Sequence, residues 1–217
     1  MGTFGGAQPI VTDGLVFAVD AANYQSYPGS GTTWSDLSGN GNHATLINGP
    51  TFNPNGYIQF DGSNDLVNTN MFGGRNPSTS PFTVQAIIRS NTLAGQRLWI
   101  DATGNGANQR FYSAFDDGGD NPLGIQGSPY SDFTLNNTNW TYQTIVMDGS
   151  IAQSYRNGIP SYTKSYTSYT LYGDIVIGGR SGYNWLGDIA FVKIYNRALT
   201  ASEVSQNYNA LKGRFGL

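Results

Sequence analysis

The 217-residue chain is long enough to form one β-sandwich domain with a full core, and its composition argues against several classes of function. Charged residues make up only 12% of the chain and the net charge is -3, so no basic surface is expected for nucleic acid or an anionic membrane. The absence of cysteine excludes disulfides and zinc–thiolate sites, and no apolar run has the length needed for membrane insertion.

The segment from Met1 to Pro9 contains neither a basic residue nor an apolar stretch, so we predict no secretory signal peptide. The expectation is therefore synthesis in a cytoplasm. We predict that residues 1–13 form an N-terminal arm, whose glycine and proline would suit a segment lying along a partner. Residues 14–217 are predicted to form a single domain.

Short runs of β-branched and aromatic residues, separated by Gly, Asn, Asp and Pro, predict an antiparallel β-sandwich. In the run that begins at Phe82, apolar and polar residues alternate, which predicts one buried face and one face that is wet or partly covered. The predicted strands are Leu15–Asp20, His43–Ile47, Tyr57–Phe60, Phe82–Arg89, Arg97–Asp101, Arg110–Phe115, Thr141–Met147, Ile151–Arg156, Asp174–Ile177 and Gly187–Tyr195.

Two dipeptides, Asp148-Gly149 and Asn157-Gly158, are typical of type I′ hairpin turns and predict a meander from Trp140 to Tyr162. The later Gly187–Tyr195 run is apolar on both faces and is typical of a central strand. Simple alternation places Ile189 and Phe191 on one face of that strand, opposite Ala190, Val192 and Ile194.

A single helix is predicted near the C-terminus, and its start accounts for Glu203, the only glutamate in the chain. Thr200 and Glu203 have the spacing of a capping box, in which each side chain hydrogen-bonds the other residue's backbone amide. This structural role needs no catalytic explanation.

The same segment predicts the helix's packing and its end. Leu199 and Val204 occupy the two positions of a hydrophobic staple. Val204, Tyr208 and Leu211 share one face, and Gly213 stands where a residue in the left-handed conformation commonly ends a helix.

Three stretches together resemble the laminin-G-like, concanavalin-A-like jelly-roll domains. They are Gly14–Phe52, with Trp34 before the turn "DLSGNGN"; Tyr57–Val67, which reads "YIQFDGSNDLV"; and Gly187–Val204, which contains "IYNRALT". The resemblance runs from about Gly14 to Leu211. It implies an all-β fold, a two-sheet antiparallel jelly-roll β-sandwich with one short C-terminal helix.

The first stretch, with "SYPGSGTTWSDLSGNGN", is most similar to domains encoded by tailed bacteriophages. That resemblance implies a non-enzymatic protein of the virion surface, either a capsid decoration or a component of a head or tail fibre, synthesised in the host cytoplasm. Its expected partners are other virion proteins and further copies of itself. The alternative is a carbohydrate-binding, lectin-like adhesin for host surface glycans, and a more remote alternative is a glycoside hydrolase.

The inventory of acids argues against hydrolysis, and no catalytic residue is predicted. Glycosidases need two carboxyl groups beside the scissile bond, and those of this fold use an E-x-D-x-x-E strand that the chain lacks. Most of the aspartates lie beside Gly or Asn in turns, where an Asx hydrogen bond is a sufficient role. The only histidine, His43, is predicted to lie where a strand begins.

Calcium is the metal that the oxygen-rich inventory would allow, although no cofactor is expected. Asp61 and Asp65 are the closely spaced candidates. Related jelly rolls often hold calcium with an acid in the last strand, but Ala190 and Phe191 occupy that position here, which leaves Asp188 as a poor substitute.

Aromatic side chains are the better material for binding, because sugars present apolar faces that stack on them. Trp34 and Trp185 are predicted to lie in the core, since they fall within or beside the family motifs. The candidates for contact with a glycan or a protein partner are Tyr24, Tyr27, Tyr130, Tyr162, Tyr166, Tyr169 and Tyr183.

Overall fold

A computed structural model describes residues 9–92, 97–103, 110–115, 123–125, 138–167, 170–171, 173–180 and 182–217. Its strands are β1 Leu15–Asp20, β2 Thr33–Trp34, β3 Ala44–Ile47, β4 Thr51–Asn53, β5 Tyr57–Asp61, β6 Leu66–Asn68, β7 Phe82–Ser90, β8 Arg97–Thr103, β9 Arg110–Phe115, β10 Leu123–Ile125, β11 Thr141–Met147, β12 Ile151–Arg156, β13 Ile159–Ser165, β14 Val176–Ile177 and β15 Leu186–Tyr195. They are followed by helix α1, Ala201–Leu211, and a 3₁₀ turn, Lys212–Arg214.

The strands form two antiparallel sheets packed face to face, as predicted. The eight-stranded sheet has the order β13-β12-β11-β7-β15-β5-β4, with β1 also paired to β15, and the seven-stranded sheet has the order β10-β9-β8-β14-β6-β3-β2. The meander predicted from Trp140 is confirmed, because β11, β12 and β13 are consecutive neighbours. Within the described residues, no helix is both long and apolar enough to cross a membrane.

The core lies between the sheets and contains the apolar residues of β7 that alternate along the strand. Phe82, Val84, Ala86 and Ile88 are all fully buried and belong to one cluster. Trp34 and Trp185 are each 0% exposed in the same cluster, which confirms their predicted place in the core. The hydrophobic alternation in the sequence therefore identified the inner face of this strand correctly.

A β-bulge at Ala190 corrects the predicted faces of β15. The pairing of β15 with β7 shifts its register between Ile189 and Phe191. Since an extra residue reverses the alternation of side chains, Ile189 joins Val192 in the inner core while Phe191 belongs to a different cluster on the outer face. Simple alternation had placed Ile189 and Phe191 together.

The outer face of the eight-stranded sheet, turned away from the other sheet, is covered by α1. Gln85 of β7 is 0% exposed, and its Oε1 accepts hydrogen bonds from the Tyr142 hydroxyl at 3.0 Å and from Asn207 Nδ2 at 2.8 Å. Asn207 Oδ1 in turn accepts from the Val11 amide at 2.7 Å. The polar residues of β7 therefore dock the helix and the segment before β1 instead of facing water.

Helix α1 begins as predicted. The Glu203 amide donates to Thr200 Oγ1, and the Thr200 amide donates to Glu203 Oε2 at 2.8 Å, which completes the capping box. Leu199 and Val204 are buried in the same apolar cluster, as a staple requires. Arg197 adds two hydrogen bonds to the Glu203 carboxylate, at 3.0 and 2.6 Å.

The end of α1 differs from the prediction at Gly213. Lys212 keeps a helical conformation, with φ of -53°, and the chain continues into the 3₁₀ turn. The residue in the left-handed region is Gly216, with φ of 68°, and not Gly213. The 3₁₀ turn tightens the last helical turn, so no left-handed residue is needed directly after Leu211.

The strands that the sequence did not predict are β2, β4, β6 and β10, which contain only two or three residues each, too few to show a period. The run Ile159–Ser165, β13, was not named as a strand, although the predicted meander to Tyr162 implies a strand there. It forms one edge of the eight-stranded sheet and is largely exposed. It contains Pro160, which a sheet edge tolerates.

Candidate binding groove

A depression of about 560 Å³ lies on the outer face of the eight-stranded sheet, beside the end of the chain. It forms where the end of β7, the start of β11 and the β12–β13 turn meet the residues that follow α1. We call it the Trp140 groove, and its principal side chains are those of Arg89, Asn139, Trp140, Arg156, Asn157 and Phe215.

Trp140 forms the aromatic wall of the groove. Its ring centroid lies 5.3 Å from that of Tyr57, edge to face, and 5.0 Å from that of Phe215. The other three tryptophans of the chain, Trp34, Trp99 and Trp185, are each 0% exposed, whereas Trp140 is only half-buried. Trp140 is therefore the tryptophan whose ring is available to a ligand.

Arg89 is held in place by two kinds of contact. Its Nε and one terminal nitrogen donate to Asp188 Oδ2 at 2.8 and 2.5 Å, and its guanidinium carbon lies 4.7 Å from the Trp140 ring centroid. Burial alone would lower the pKa of Arg89, but the hydrogen bonds and charge of Asp188 raise it. The guanidinium is thus a fixed, charge-compensated support for the aromatic wall.

Asn157 supplies a polar group at the rim of the groove. It occupies the β12–β13 turn with φ of 50°, a left-handed conformation that asparagine tolerates, as its hairpin dipeptide predicts. Its Oδ1 accepts from the Tyr142 amide at 2.9 Å, and its own amide donates to the Tyr142 carbonyl at 2.8 Å. Among the described residues its Nδ2 has no partner, so this amide group can donate to a ligand.

Two further depressions adjoin the Trp140 groove. One, of about 320 Å³, shares Arg89, Trp140 and Phe215 with it and extends to Asn55 and Tyr57. The next, of about 250 Å³, also reaches Asn55 and contains the rings of Tyr24, Tyr27 and Phe52. The three depressions together give an elongated surface that passes the β4–β5 turn.

Of the tyrosines predicted to contact a ligand, Tyr24 is the most accessible. It is 78% exposed and borders the third depression. Tyr162 is half-buried on the edge strand β13, and Tyr183 is 38% exposed beneath the Arg180 guanidinium. Tyr130 and Tyr169 lie outside the described residues.

The structure corrects the prediction for Tyr27 and Tyr166, whose side chains are buried. Tyr27 is 4% exposed, and its hydroxyl donates to the Gly31 carbonyl at 2.8 Å. Tyr166 is 7% exposed, and its hydroxyl accepts from the Gly149 amide at 2.9 Å, while burial raises its pKa to about 12. Both rings support loops from within, so neither offers a stacking platform.

The calcium candidates have local roles in the structure. Asp65 Oδ2 accepts from the Asp61 amide at 2.9 Å, and Asp61 Oδ1 accepts from the Ser63 amide at 2.8 Å, which shapes their loop. Asp188 is fully buried against Arg89. In the part of the chain that the structure describes, no three His, Cys, Asp or Glu side chains come together to hold a metal.

His43 lies directly before β3, where the sequence predicted it, and its Nδ1 accepts from the Asp36 amide at 3.2 Å. The Asp36 carboxylate organises the turn "DLSGNGN" by accepting from the amides of Ala18, Ser38 and Asn42. Burial alone would raise the pKa of Asp36, but these hydrogen bonds lower it. The motif that resembles the family therefore has a structural task, and it lies apart from the residues of the groove.

Sequence reasoning missed Trp140 and Arg89 of the groove, and also Tyr57, which packs against Trp140 from the adjoining depression. Trp140 ends the polar run "NNTNW" immediately before a strand, but Trp185 also directly precedes a strand and is fully buried, so this position gave no reliable signal. Arg89 and Tyr57 carried no signal either.

Comparison with known proteins agrees with the fold. A family model described as "Concanavalin A-like lectin/glucanases superfamily" matches residues 61–205. A search of curated protein sequences finds no match. The family match confirms the resemblance to the laminin-G-like, concanavalin-A-like domains.

Three solved structures illustrate the likeness. Trypanosoma rangeli sialidase in complex with 2,3-difluorosialic acid has a TM-score of 0.76 at 16% identity, over 99% of this chain and 35% of the sialidase. The binding domain of botulinum neurotoxin serotype D has a TM-score of 0.70 at 16% identity, over 93% and 53%. The binding domain of Paraclostridial Mosquitocidal Protein 1 has a TM-score of 0.68 at 21% identity, over 92% and 52%.

The chain therefore spans about a third of the sialidase and about half of the two toxin binding domains. At these identities the likeness shows a shared fold.

Proposed function

Because this chain belongs to the concanavalin A-like lectin/glucanase superfamily, we propose that it is a non-enzymatic binding module whose Trp140 groove recognises a glycan. The observation that carries the proposal is the half-buried Trp140 ring in a groove rimmed by amide groups. A sugar ring presents a C–H face and hydroxyls, and this combination of an aromatic wall and polar partners suits both.

The support for Trp140 favours recognition by stacking. A ligand stacked on the indole would meet a wall already fixed by Tyr57, Phe215 and the Arg89 guanidinium, so little side-chain freedom would be lost on binding. Asn157 Nδ2 would donate to a hydroxyl at the rim. This pre-organisation is what a shallow surface site needs to hold a neutral sugar.

The lining of the groove supports binding over hydrolysis. Among the described residues that line the three adjoining depressions there is no Asp, Glu or His. Asp188 lies behind the groove, where it is fully buried and hydrogen-bonded to Arg89, and Glu203 is engaged by Thr200 and Arg197. A glycosidase needs two carboxyl groups flanking the bond, and the described residues place no such pair on this surface.

A glycan array followed by calorimetry on the best ligand tests the proposal. Trp140→Ala is expected to weaken binding at least about tenfold, which corresponds to about 1.4 kcal/mol, because the stacking surface is lost. Trp140→Phe should retain part of the affinity. Tyr183→Ala removes a similarly exposed ring elsewhere on the surface and should leave binding unchanged.

Two outcomes would contradict the proposal: no glycan bound with calcium present or absent, or equal affinities for the wild type and Trp140→Ala. Circular dichroism of both proteins would exclude misfolding as the cause of a loss. Release of reducing sugar from a bound oligosaccharide would instead favour the hydrolase alternative.

We further propose that the module is displayed on the surface of a bacteriophage virion, as a capsid decoration or a fibre component. The support is the resemblance of Gly14–Phe52 to domains of tailed phages. Other virion proteins would then be its partners, and host surface glycans its ligands. Mass spectrometry of purified particles tests this: a fixed copy number relative to a capsid or tail protein is expected, and absence from every particle would refute it.

A further inference from the structure

A second cavity, of about 270 Å³, lies on the same outer face of the eight-stranded sheet. Its walls are mainly apolar and come from the segment before β1, from β1 itself, from the turn after β2, from β15 and from the end of α1. We call it the Lys193 cavity, and its principal side chains are Ile10, Leu15, Leu37, Phe191, Leu211 and Lys193. The space corresponds to roughly nine water molecules, enough for a small organic ligand.

Lys193 is unusual among the three lysines of the chain. Lys164 and Lys212 are partly exposed, whereas Lys193 is only 7% exposed. Its Nζ lies 4.6 Å from the Phe191 ring centroid, and no carboxylate of a described residue forms an ion pair with it. Buried lysines are normally paired, so an unpaired one that lines a cavity indicates a site for a ligand.

The charged groups nearest to Lys193 are already engaged with each other. Asp20 of β1 accepts two hydrogen bonds from Arg214 of the 3₁₀ turn, at 2.5 and 2.9 Å. Burial lowers the pKa of Lys193 to about 7, Asp20 opposes this shift and Arg214 adds to it. The polar residues that the other elements bring to the cavity, Thr12 and Ser38, do not titrate. A large fraction of the amine is therefore neutral near pH 7.

We propose that the Lys193 cavity binds a small apolar aldehyde and holds it as a reversible imine on Lys193. The neutral Nζ attacks the carbonyl carbon and forms the C–N bond. The carbonyl oxygen then leaves as water with the two protons that the amine gives up. No electrons are exchanged with an external reagent, and addition of water reverses the step. A desolvated lysine beside a cationic group is the environment in which such amines become nucleophilic.

The apolar walls set the class of aldehyde. Leu37, Phe191 and Leu211 would cover an aliphatic or phenyl group, while a polyhydroxy aldehyde would bury hydroxyls that these walls cannot satisfy. The Lys193 cavity is therefore selective against open-chain sugars, in contrast to the Trp140 groove.

Reductive labelling of the intact chain tests the proposal. The protein is exposed briefly to pentanal and cyanoborohydride at pH 7, and peptide mass spectrometry measures alkylation at Lys164, Lys193 and Lys212 separately. We expect Lys193 to be labelled at least about tenfold faster than either of the other two lysines, because far more of its amine is neutral. Its labelling rate should level off just above pH 7, whereas the other two should keep rising toward pH 10.

Glyceraldehyde provides the matched polar probe. It should label Lys193 no faster than Lys164, because the apolar walls exclude it. Leu37→Ser changes a partly exposed wall residue and should reduce the preference for pentanal, and Tyr183→Ala, which lies outside both sites, should leave it unchanged. Equal or slower labelling of Lys193 with pentanal would overturn the proposal, and this outcome would leave the glycan proposal unaffected.

Discussion

The Trp140 groove and the Lys193 cavity lie on the same face of one sheet, and each contains a basic side chain. The two side chains differ in their charge state. The Arg89 guanidinium is bound by a buried carboxylate and stays charged. The Lys193 amine has no such partner, and its pKa falls to about 7. One site therefore holds a fixed charge, and the other holds an amine of which a large fraction is neutral near pH 7. The difference has two causes: a guanidinium stays charged in proteins, whereas a lysine amine readily loses its proton when it is buried without a carboxylate partner.

The register of the sheet explains which cation receives a partner. In the pairing of β7 with β15, Arg89 lies directly opposite Asp188. Lys193 lies opposite Gln85 on that side and opposite Ala18 of β1 on the other. The bulge at Ala190 keeps Asp188 and Lys193 on the same outer face although five positions separate them. The chemistry of the two sites thus follows from cross-strand neighbours that lie far apart in sequence.

Removing Arg89 is the strongest way to break this comparison. Arg89→Met would leave the Asp188 carboxylate, which is 0% exposed, without a cation. The loss of one partner of a buried ion pair typically costs about 3–5 kcal/mol, because an uncompensated charge remains inside. We expect a decrease of that size in the free energy of unfolding, measured with urea at pH 7.

The matched control is Asp188→Asn, which leaves a guanidinium that is partly exposed and should therefore cost less. The double variant, Arg89→Met with Asp188→Asn, should recover part of the stability lost in Arg89→Met. If Arg89→Met unfolds at the wild-type urea concentration, the ion pair does not stabilise the groove in the way described.

The pH dependence of stability sharpens the comparison at the other site. The pKa of Lys193 is lowered from an ordinary value near 10.5 to about 7 in the folded chain. Between these two values the unfolded chain binds one more proton than the folded chain, so raising the pH stabilises the fold. The slope expected from this group is about 1.4 kcal/mol per pH unit.

Urea unfolding at pH 7, 8 and 9 measures that slope, and Lys193→Met is the matched control because it keeps the length and apolar stem of the side chain. In Lys193→Met, the free energy of unfolding should no longer rise with pH by the amount expected from Lys193. The variant should also be more stable than the wild type at pH 7. An unchanged slope in Lys193→Met would show that Lys193 is protonated and compensated in the folded chain.

Both sites are bordered by α1 or by the residues after it. A change at the start of that helix should therefore lower the stability of the fold around both sites. Thr200→Ala removes the capping oxygen and is expected to lower the free energy of unfolding by about 1 kcal/mol.

Hydrogen bonds from Arg197 and then from Thr200 lower the pKa of Glu203 to about 2. A lowered acid pKa gives stability that is present above pH 4.5 and is lost as the pH falls toward 2.

Urea unfolding of the wild type and Glu203→Gln at pH 6 and pH 3 checks the sign. The variant should be less stable at pH 6, and the difference should shrink at pH 3. A difference that persists unchanged at pH 3 would show that the lost stability does not come from the lowered pKa of Glu203. Asn209, exposed on the same helix, offers a neutral control as Asn209→Ala.

Local features of the sequence predicted the fold and the helix start. The alternation in β7, the two hairpins and the capping box each depend on residues a few positions apart, and each is present in the structure. Only Asn157-Gly158 has the two positive φ angles of the predicted type I′ turn, because Asp148 is not among the residues with positive φ and the first hairpin turns at Gly149 and Ser150. At Ala190 an extra residue reverses the alternation of side chains between the two faces of β15. The same reasoning therefore assigned Phe191 to the wrong face. Periodicity along one strand cannot reveal such an insertion, because a bulge is defined by the pairing with the partner strand.

The two sites could not be predicted in the same way. The groove combines Arg89, Trp140 and Phe215, and Tyr57 packs against Trp140 from the adjoining depression, so the side chains come from four separate parts of the chain. The composition of the loops instead predicted tyrosines as the ligand contacts, and the structure shows that one of them, Tyr166, is buried. Lys193 alternates with apolar residues as a solvent-facing lysine would. Only the docking of α1 over the outer face reveals that it is covered.

The smallest expected effect concerns the length of the groove. Tyr24 borders the last of the three adjoining depressions, beyond Asn55, and is 78% exposed. If a glycan chain follows these depressions, Tyr24→Ala should leave the affinity for a monosaccharide unchanged and weaken that for a longer oligosaccharide by about two- to fivefold, less than 1 kcal/mol. Calorimetry with a series of increasing chain length separates the two cases. Equal losses for short and long ligands would place Tyr24 inside the primary site, and no loss for any length would confine recognition to the Trp140 groove.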